Sequence, residues 1–401
     1  ADAADAADAG GANGADGADG AEAVGAAPAA AMAGLAVADA AAAAAGASSS
    51  SPPHNGTCGT IQWQVPEEFK PDNLTYVQLQ PGAEHPWGEG VEGILVATSG
   101  APCHSVVVFS AGGEVLCVGD SESFGKRIAS PARVASDGRF LIFVDEGTFA
   151  PRAHVTCLSL DLRPLGQWEL QPNEDLRTQP GFNRNYTTRG PVALELSTHG
   201  GGTLWACYRS AHRIAAFDAA EMCARGGRTG VSAAGKPRVG TAPARFSFGG
   251  NDEEGTIPPF PADEWHSRVM ASRRKRGALS SPCAFTVSEG RVYVCDRENH
   301  RISVFSADDG AYRHCFSTFG DAPGCVRGPA GVAFAAGHVL VTEGVYGRRI
   351  QAFTPEGESR AILCPPGGKQ PMLRGLCVGP RGRIYAADRC NDLIHLIQLR
   401  R

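Results

Sequence analysis

RVYVCDRENHRISVF, residues 291–305, holds the unit from which the rest of the chain can be read. Val292 and Val294 alternate with Tyr293 and Cys295 in a β-branched and aromatic run, and Ile302, Val304 and Phe305 open a second run after six polar residues. Such runs predict two short strands joined by a polar turn. SSPCAFTVSEG just before offers a strand over 284–287 and a turn at Gly290, and HCFSTFG just after offers a fourth strand. Four strands in about 45 residues is the length of one four-stranded repeat unit.

The unit recurs. RGLCVGPRGRIYAADRCNDLIHLIQL (374–399) repeats the plan, with DRCNDLI standing for DRENHRI, so that Arg389 and Asn391 fall where Arg297 and Asn299 fall. GPAGVAFAAGHVLVTEGVYGRRIQAFTPEG (328–357) is a third copy, with Glu343 at the aspartate position and a turn one residue longer. GPVALELSTHGGGTLWACYRSAHRIAAFDA (190–219) is a fourth, its His-Arg-Ile at 212–214 matching 300–302. These copies resemble the NHL repeat, with Asn299, His300 and Arg301 in the place of its signature triplet. The resemblance is densest over 279–401, good over 189–219 and thin before that. It implies an all-β fold, a six-bladed β-propeller, over 57–401.

Two further blades are expected upstream. LTYVQL, GILVATS, SVVVFSAGG and EVLCVGD supply one, and residues 131–170 supply the next, with a long turn around Pro151. The last copy stops after its third strand, and a ring must close because an unpaired strand edge invites aggregation. Residues 60–65, left over at the front, are the natural fourth strand for 393–399. Residues 220–278 depart from the repeat. ARFSFGG (244–250) reads as an outer strand flanked by surface-loop insertions at 220–243 and 251–278, the second ending in the basic quartet Arg273, Arg274, Lys275, Arg276. That quartet also reads as a nuclear import patch, a polyanion contact or a dibasic processing site.

Residues 1–56 form a low-complexity tail. Seven acidic residues up to Asp39 face no Lys or Arg among alanine, glycine and serine, so the segment is expected to be disordered. It lacks the basic residues of a signal or transit peptide, and the chain opens on Ala, so an upstream portion is left open. Net charge is −5 overall, and without the tail's acids the remainder is close to neutral, which points to neither nucleic acid nor membrane. No run is long and apolar enough for a membrane helix. Thirteen cysteines include no CxxC pair, and Cys157, Cys207, Cys283, Cys295, Cys315 and Cys377 fall in or beside expected strands, where thiols act as small hydrophobes. Sequons at Asn55, Asn73 and Asn185 argue for secretion, the cysteines for the cytoplasm.

Enzymatic constellations are missing from the sequence: there is no GxSxG, HExxH, P-loop or dinucleotide fingerprint. Among NHL propellers the resemblance reaches the amidating peptidyl-hydroxyglycine lyase, which implies zinc-binding histidines after a proline on inner strands. Here those positions hold Ala132, Val192, Cys283 and Ala330, from which a three-ligand zinc site cannot be built, so no cofactor or metal is expected. NHL propellers also form the C-terminal domain of tripartite-motif ubiquitin ligases, but no zinc-binding Cys/His cluster precedes the repeats.

Binding is the remaining class. In an up-and-down blade, the turn between strands two and three shares a face with the link to the next blade. That face gathers Arg209, Arg213, Arg297, His300, Arg301, Arg348, Arg349 and Arg389, and guanidinium groups suit phosphate or carboxylate. The candidate partner-binding residues are Arg297, His300, Arg301, Arg348, Arg349 and Arg389, on a monomeric scaffold for a protein partner. RNA or another polyanion is the alternative, although only Tyr208 and Tyr346 offer rings for stacking. The competing reading makes Asp296 with Arg301, and Asp388 with Arg389, ion pairs that pin each turn.

Overall fold

The computed structural model describes residues 58–66, 69–88, 90–99, 105–120, 133–144, 153–172, 191–197, 202–233, 235, 237–250, 276–344, 348–363 and 371–399. The tail, the quartet's Arg273, Arg274 and Lys275, Tyr346, Pro151, Ala132 and the sequons at Asn55 and Asn185 lie outside them.

Strands follow one another in antiparallel sets: β2 (Pro71–Gln78), β3 (Gly93–Ser99), β4 (Ser105–Ser110) and β5 (Val115–Gly119); then β6 (Ala135–Ser136), β7 (Leu141–Val144), β8 (Ala153–Leu158) and β9 (Pro164–Gln171). β10 (Ala193–Ser197), β11 (Thr203–Tyr208), β12 (Arg213–Asp218) and β13 (Val239–Gly249) come next. β14 (Pro282–Ser288), β15 (Arg291–Asp296), β16 (Arg301–Ser306) and β17 (Tyr312–Phe316) make the set that contains the opening motif. β18 (Pro329–Ala335), β19 (His338–Glu343), β20 (Ile350–Phe353) and β21 (Ser359–Leu363) follow, and β22 (Leu373–Val378), β23 (Ile384–Asp388) and β24 (Leu393–Leu399) end the chain.

The fourth strand of the last sheet is β1 (Cys58–Gln64), paired antiparallel with β24 from Cys58 opposite Leu399 to Gln64 opposite Leu393. The closure expected from residues 60–65 is therefore present, two residues longer at its start and one shorter at its end.

The burial pattern shows how sheets stack around an axis. Val292, Tyr293, Val294 and Cys295 are all buried, unlike the one-sided burial of a solvent-facing sheet. Val292 and Val294 enter the cluster shared with β10–β13, which holds Trp205 and Phe248, while Tyr293 and Cys295 enter the cluster shared with β18–β21, which holds Val339 and Phe353. Every neighbouring pair of sets encloses such a cluster, each large side chain contributing about 1.5–3 kcal/mol on burial.

The first strand of each set lies against the axis, and these strands join side to side. The Thr75 hydroxyl donates to Val134 O, Leu194 N to Arg133 O and the Cys283 thiol to Pro329 O, and from the second strand β19 the Thr342 hydroxyl reaches Arg374 O of the next set. Gly375 lets β22 meet β2, since a Cβ there would lie 2.6 Å from the Asn73 Cα. Asn73 itself is half-buried within β2 and the sequon's Thr75 is buried, so this site is not the exposed loop a glycan acceptor needs.

One sheet has eight strands, because β13 pairs antiparallel with β12 and, over Val239–Pro243, parallel with β9. The insertion at 220–243 is therefore not a surface loop along its length, as the sequence predicted. It starts with helix α1 (Ala220–Ala224), docks Gly227 O onto the Trp168 indole N–H at 3.0 Å, and returns as the first half of β13. Gly240 is required there, since a Cβ would meet the Trp168 ring at 2.3 Å.

Candidate functional site

Three of the repeat copies end their second strand in an acid, Asp296, Glu343 and Asp388, and the structure shows what the acid does. Asp296, fully buried, accepts from Ser280 N at 2.6 Å, from the Asn299 amide, from Arg301 Nε at 2.7 Å and from the Ser303 hydroxyl. Glu343, also fully buried, accepts from Arg327 N at 3.1 Å, Arg349 Nε at 2.6 Å and Gln351 Nε2 at 2.7 Å. Asp388 accepts from Met372 N, the Asn391 amide and His395 Nε2. The acid thus ties three pieces together: the link entering its own set, the turn, and the third strand.

The turns end on a left-handed residue in four copies: His212, His300, Arg348 and Asp392, with φ between 50° and 55°. The two histidines clamp neighbouring sets. His212 Nδ1 accepts from Ser281 N and His300 Nδ1 from Gly328 N, both at 2.9 Å, which places the neutral ring's proton on Nε2.

These contacts sort the candidate residues. Arg301 is only 4% exposed and bonds Asp296 and Ala278 O, and Arg349 holds Glu343 and the carbonyls of Asp321 and Cys325. Both are turn pins with their donors turned inward. Arg389 does not pair with Asp388; its Nη1 lies on Asp72, at 2.6 and 2.8 Å from the two carboxylate oxygens, and His395 takes the place beside Asp388. Arg348 is exposed. Arg297 is half-buried, its side chain beside Gly328, and enters no ion pair among the described residues. Tyr208, named for stacking, is 7% exposed and belongs to the core.

The same face opens onto the axis, where inner-strand residues add to the turn residues. Cys283 sits at the start of β14 with its thiol on Pro329 O at 3.2 Å, beside the segment that Arg297 covers. Across the mouth, Arg374 of β22 lies 3.6 Å from Asp72. Deeper in, Arg133 reaches past β10 to donate to Phe285 O at 3.0 Å and pairs with Glu195 at 3.4 Å.

Comparison with known proteins adds the family. An NHL repeat matches residues 279–305, the segment that holds the Asp296 cap and the His300 clamp. The chain carries an NHL repeat at this place in its ring of four-stranded sets. Among solved structures it is similar to a streptogramin B lyase (12% identity, TM-score 0.44, covering 85% of this chain and 98% of that one) and to the WD40 propeller domain of Doa1 (10%, 0.44, 85% and 95%). It is also similar to virginiamycin B lyase from Staphylococcus aureus (13%, 0.44, 86% and 99%). At these identities and scores the likenesses carry no argument about chemistry. No curated protein matches the chain by sequence.

Two inner-strand groups of the ring, Arg374 and Cys283, titrate away from their ordinary ranges. Arg374 is pulled below its ordinary pKa by burial and by the neighbouring Arg389 and Arg297, with Asp72 opposing. The Cys283 thiol falls to about 7 through a hydrogen bond with Cys295, against the upward push of burial, and through the nearby Arg297, Arg209 and Arg374. Thiols elsewhere go the other way: partial burial pushes Cys117 and Cys223 to about 11, and full burial pushes Cys377 to about 12. The ten cysteines whose side chains are described, which leave out Cys58 of β1, are free thiols. No group of three or more His, Cys, Asp and Glu among the described residues is arranged to hold a metal.

The sequence did not single out Phe319, Arg327, Arg133 or Arg374. Arg374 had a readable signal, since it follows the first residue of an inner strand, the position that Cys283 holds in its own copy. Phe319 was hidden inside an apparent strand, HCFSTFG, which ends at Phe316 because Ser317 takes φ 73°.

Proposed function

We propose that this propeller is a non-catalytic binding scaffold that holds a protein partner on its turn face. The observation that carries the reading is Phe319. It stands in the link from β17 to β18, 40% exposed, with the His300 ring centred 4.9 Å away and the Arg327 guanidinium 5.0 Å from its ring centre. The other exposed large apolar side chains described, Val115, Val118, Val231 and Val239, lie in outer strands or in the 220–243 insertion. An aromatic anchor flanked by an imidazole and backed by the Arg327 guanidinium, with Arg348 further along the face, has the composition of an interface hot spot. Phe319 is the one exposed aromatic ring among the described residues, with Tyr208 buried, which favours a protein over RNA, since RNA needs several stacking platforms.

Replacing Phe319 by Ala should leave the melting temperature unchanged and weaken capture of the native partner at least tenfold, about 1.4 kcal/mol. Val118→Ala, on outer strand β5, serves as the control. Identical partners and affinities for wild type and Phe319→Ala would end this reading.

A further inference from the structure

We propose that Cys283 and Cys295 form a thiol pair that hydrogen peroxide converts to a disulfide, Cys283 reacting first and Cys295 closing the bond. The site needs no protein partner and does not rest on the scaffold reading.

Strand register brings the two residues together. In the β14–β15 pairing Pro282 stands opposite Asp296 and Phe285 opposite Val294, so Cys283 and Ala284 together oppose Cys295. Two residues facing one make a β-bulge, which re-aims a side chain. Opposed residues of antiparallel strands have Cα atoms about 4.5–5.5 Å apart, within the span that a disulfide bridges. Cys295 belongs to the apolar cluster shared with β18–β21 and Cys283 packs against that cluster, so both side chains leave the same face of the sheet.

The neighbouring sets show where the Cys295 sulfur reaches. Cys295 is the last residue but one of its second strand, as Cys207 is of β11 and Thr342 is of β19. The Cys207 thiol donates to Pro282 O of the next inner strand at 3.3 Å, and the Thr342 hydroxyl to Arg374 O at 2.9 Å. For Cys295 the corresponding edge is that of β18, and there the Cys283 sulfur lies 3.2 Å from Pro329 O and 3.9 Å from Ala330 O. The two sulfurs converge on one strand edge. A hydrogen bond between the thiols, which lowers Cys283 and raises Cys295, agrees with that placement.

Exposure sets the order of reaction. Cys283 is half-buried, whereas Cys295 and Cys207 are fully buried, so a peroxide from solvent meets Cys283. The Cys283 thiolate attacks one peroxide oxygen, the O–O bond breaks, and the departing hydroxide takes up the proton that the thiol lost, leaving a sulfenic acid and water. Cys295 then gives up its proton and its sulfur attacks the Cys283 sulfur, breaking the S–O bond and releasing a second water. Two thiols and one peroxide thus become one disulfide and two waters. Cys283 loses the S–H that donates to Pro329 O, so oxidation undoes a joint between β14 and β18.

Trypsin separates the two residues by cutting after Arg291, with Cys283 in 277–291 and Cys295 in 292–297. The reduced full chain is treated with hydrogen peroxide, its remaining thiols are alkylated, and it is digested without reduction. The expected product is a peptide joining 277–291 to 292–297, two hydrogens lighter than the sum of its parts and lost on treatment with dithiothreitol. Cys295→Ala should abolish that peptide and leave Cys283 as a sulfenic acid that dimedone traps, and Cys283→Ala should leave Cys295 a free thiol. The wild-type peptide map decides the pairing without either variant. Cys283 joined to Cys207, Cys283 accumulating as sulfenic or sulfinic acid in wild type with no linked peptide, or Cys283 left unmodified by peroxide, overturns the pair.

Discussion

Arg389 chelates Asp72 across the seam of the ring, with Nη1 2.6 and 2.8 Å from the two carboxylate oxygens of a residue 317 positions away. The contact joins the last set of strands to the first complete one, next to the seam that β1 and β24 close by strand pairing. Arg374 approaches the same carboxylate, so one buried acid restrains two cations.

Asp72→Asn should therefore destabilise the ring beyond the loss of one surface pair. It removes the carboxylate that lies between two guanidinium groups, and breaking such a buried pair costs about 3 kcal/mol. Urea unfolding of Asp72→Asn, Arg389→Ala and the double variant should give a coupling energy above about 1 kcal/mol between the two sites. Additive single effects would mean that the seam is held by strand pairing alone.

Arg348 and Arg349 are neighbours in sequence with opposite fates, which allows a sharp comparison. Arg348 is exposed, whereas Arg349 neutralises the buried Glu343 and donates to two backbone carbonyls. Arg348→Ala should stay within about 0.5 kcal/mol of wild type, and Arg349→Ala should cost about 3 kcal/mol by stranding a buried carboxylate. Chemical denaturation of the two variants decides it, and equal stabilities would refute the assignment of Arg349 as a turn pin. Treating the two as equivalent surface cations, as the sequence invited, misses this because the Glu343 contact depends on which side of the turn each side chain leaves.

The repeat made most of the fold legible. DRENHRI, DRCNDLI and the copy holding Glu343 share an acid, a polar turn and an apolar strand, and those local patterns dictate strand, turn and strand without tertiary information. Closure was legible too, because a last copy short of one strand and a spare strand at the front answer each other. What stayed hidden depends on distant partners. Nothing near Arg389 reveals Asp72, and nothing in the Gly- and Ala-rich 220–243 segment announces that Gly240 will cross the Trp168 ring and carry β13 onto β9. The turn arginines named from the sequence divide: Arg301 and Arg349 serve the fold, while the proposed binding surface turns on linker Phe319, which the sequence did not single out.

Acid should act on the last set of strands through Asp388. Burial works against its charged form, but hydrogen bonds from His395, Asn391 and Met372 N outweigh it and hold the carboxyl below its ordinary range. An acid whose folded pKa is depressed stabilises the fold fully above its unfolded value, about 3.9, and loses that contribution as pH falls through the folded value. Stability of the wild type should therefore decline below about pH 4 with one proton taken up per molecule at this site. Asp388→Asn should start from a lower plateau, because the amide cannot accept from every donor that now converges there, and its stability should change less steeply with acid. The comparison is between slopes of unfolding free energy against pH from pH 5 downward, measured by urea titration. Parallel slopes for wild type and Asp388→Asn would show that this carboxylate is not what acid attacks.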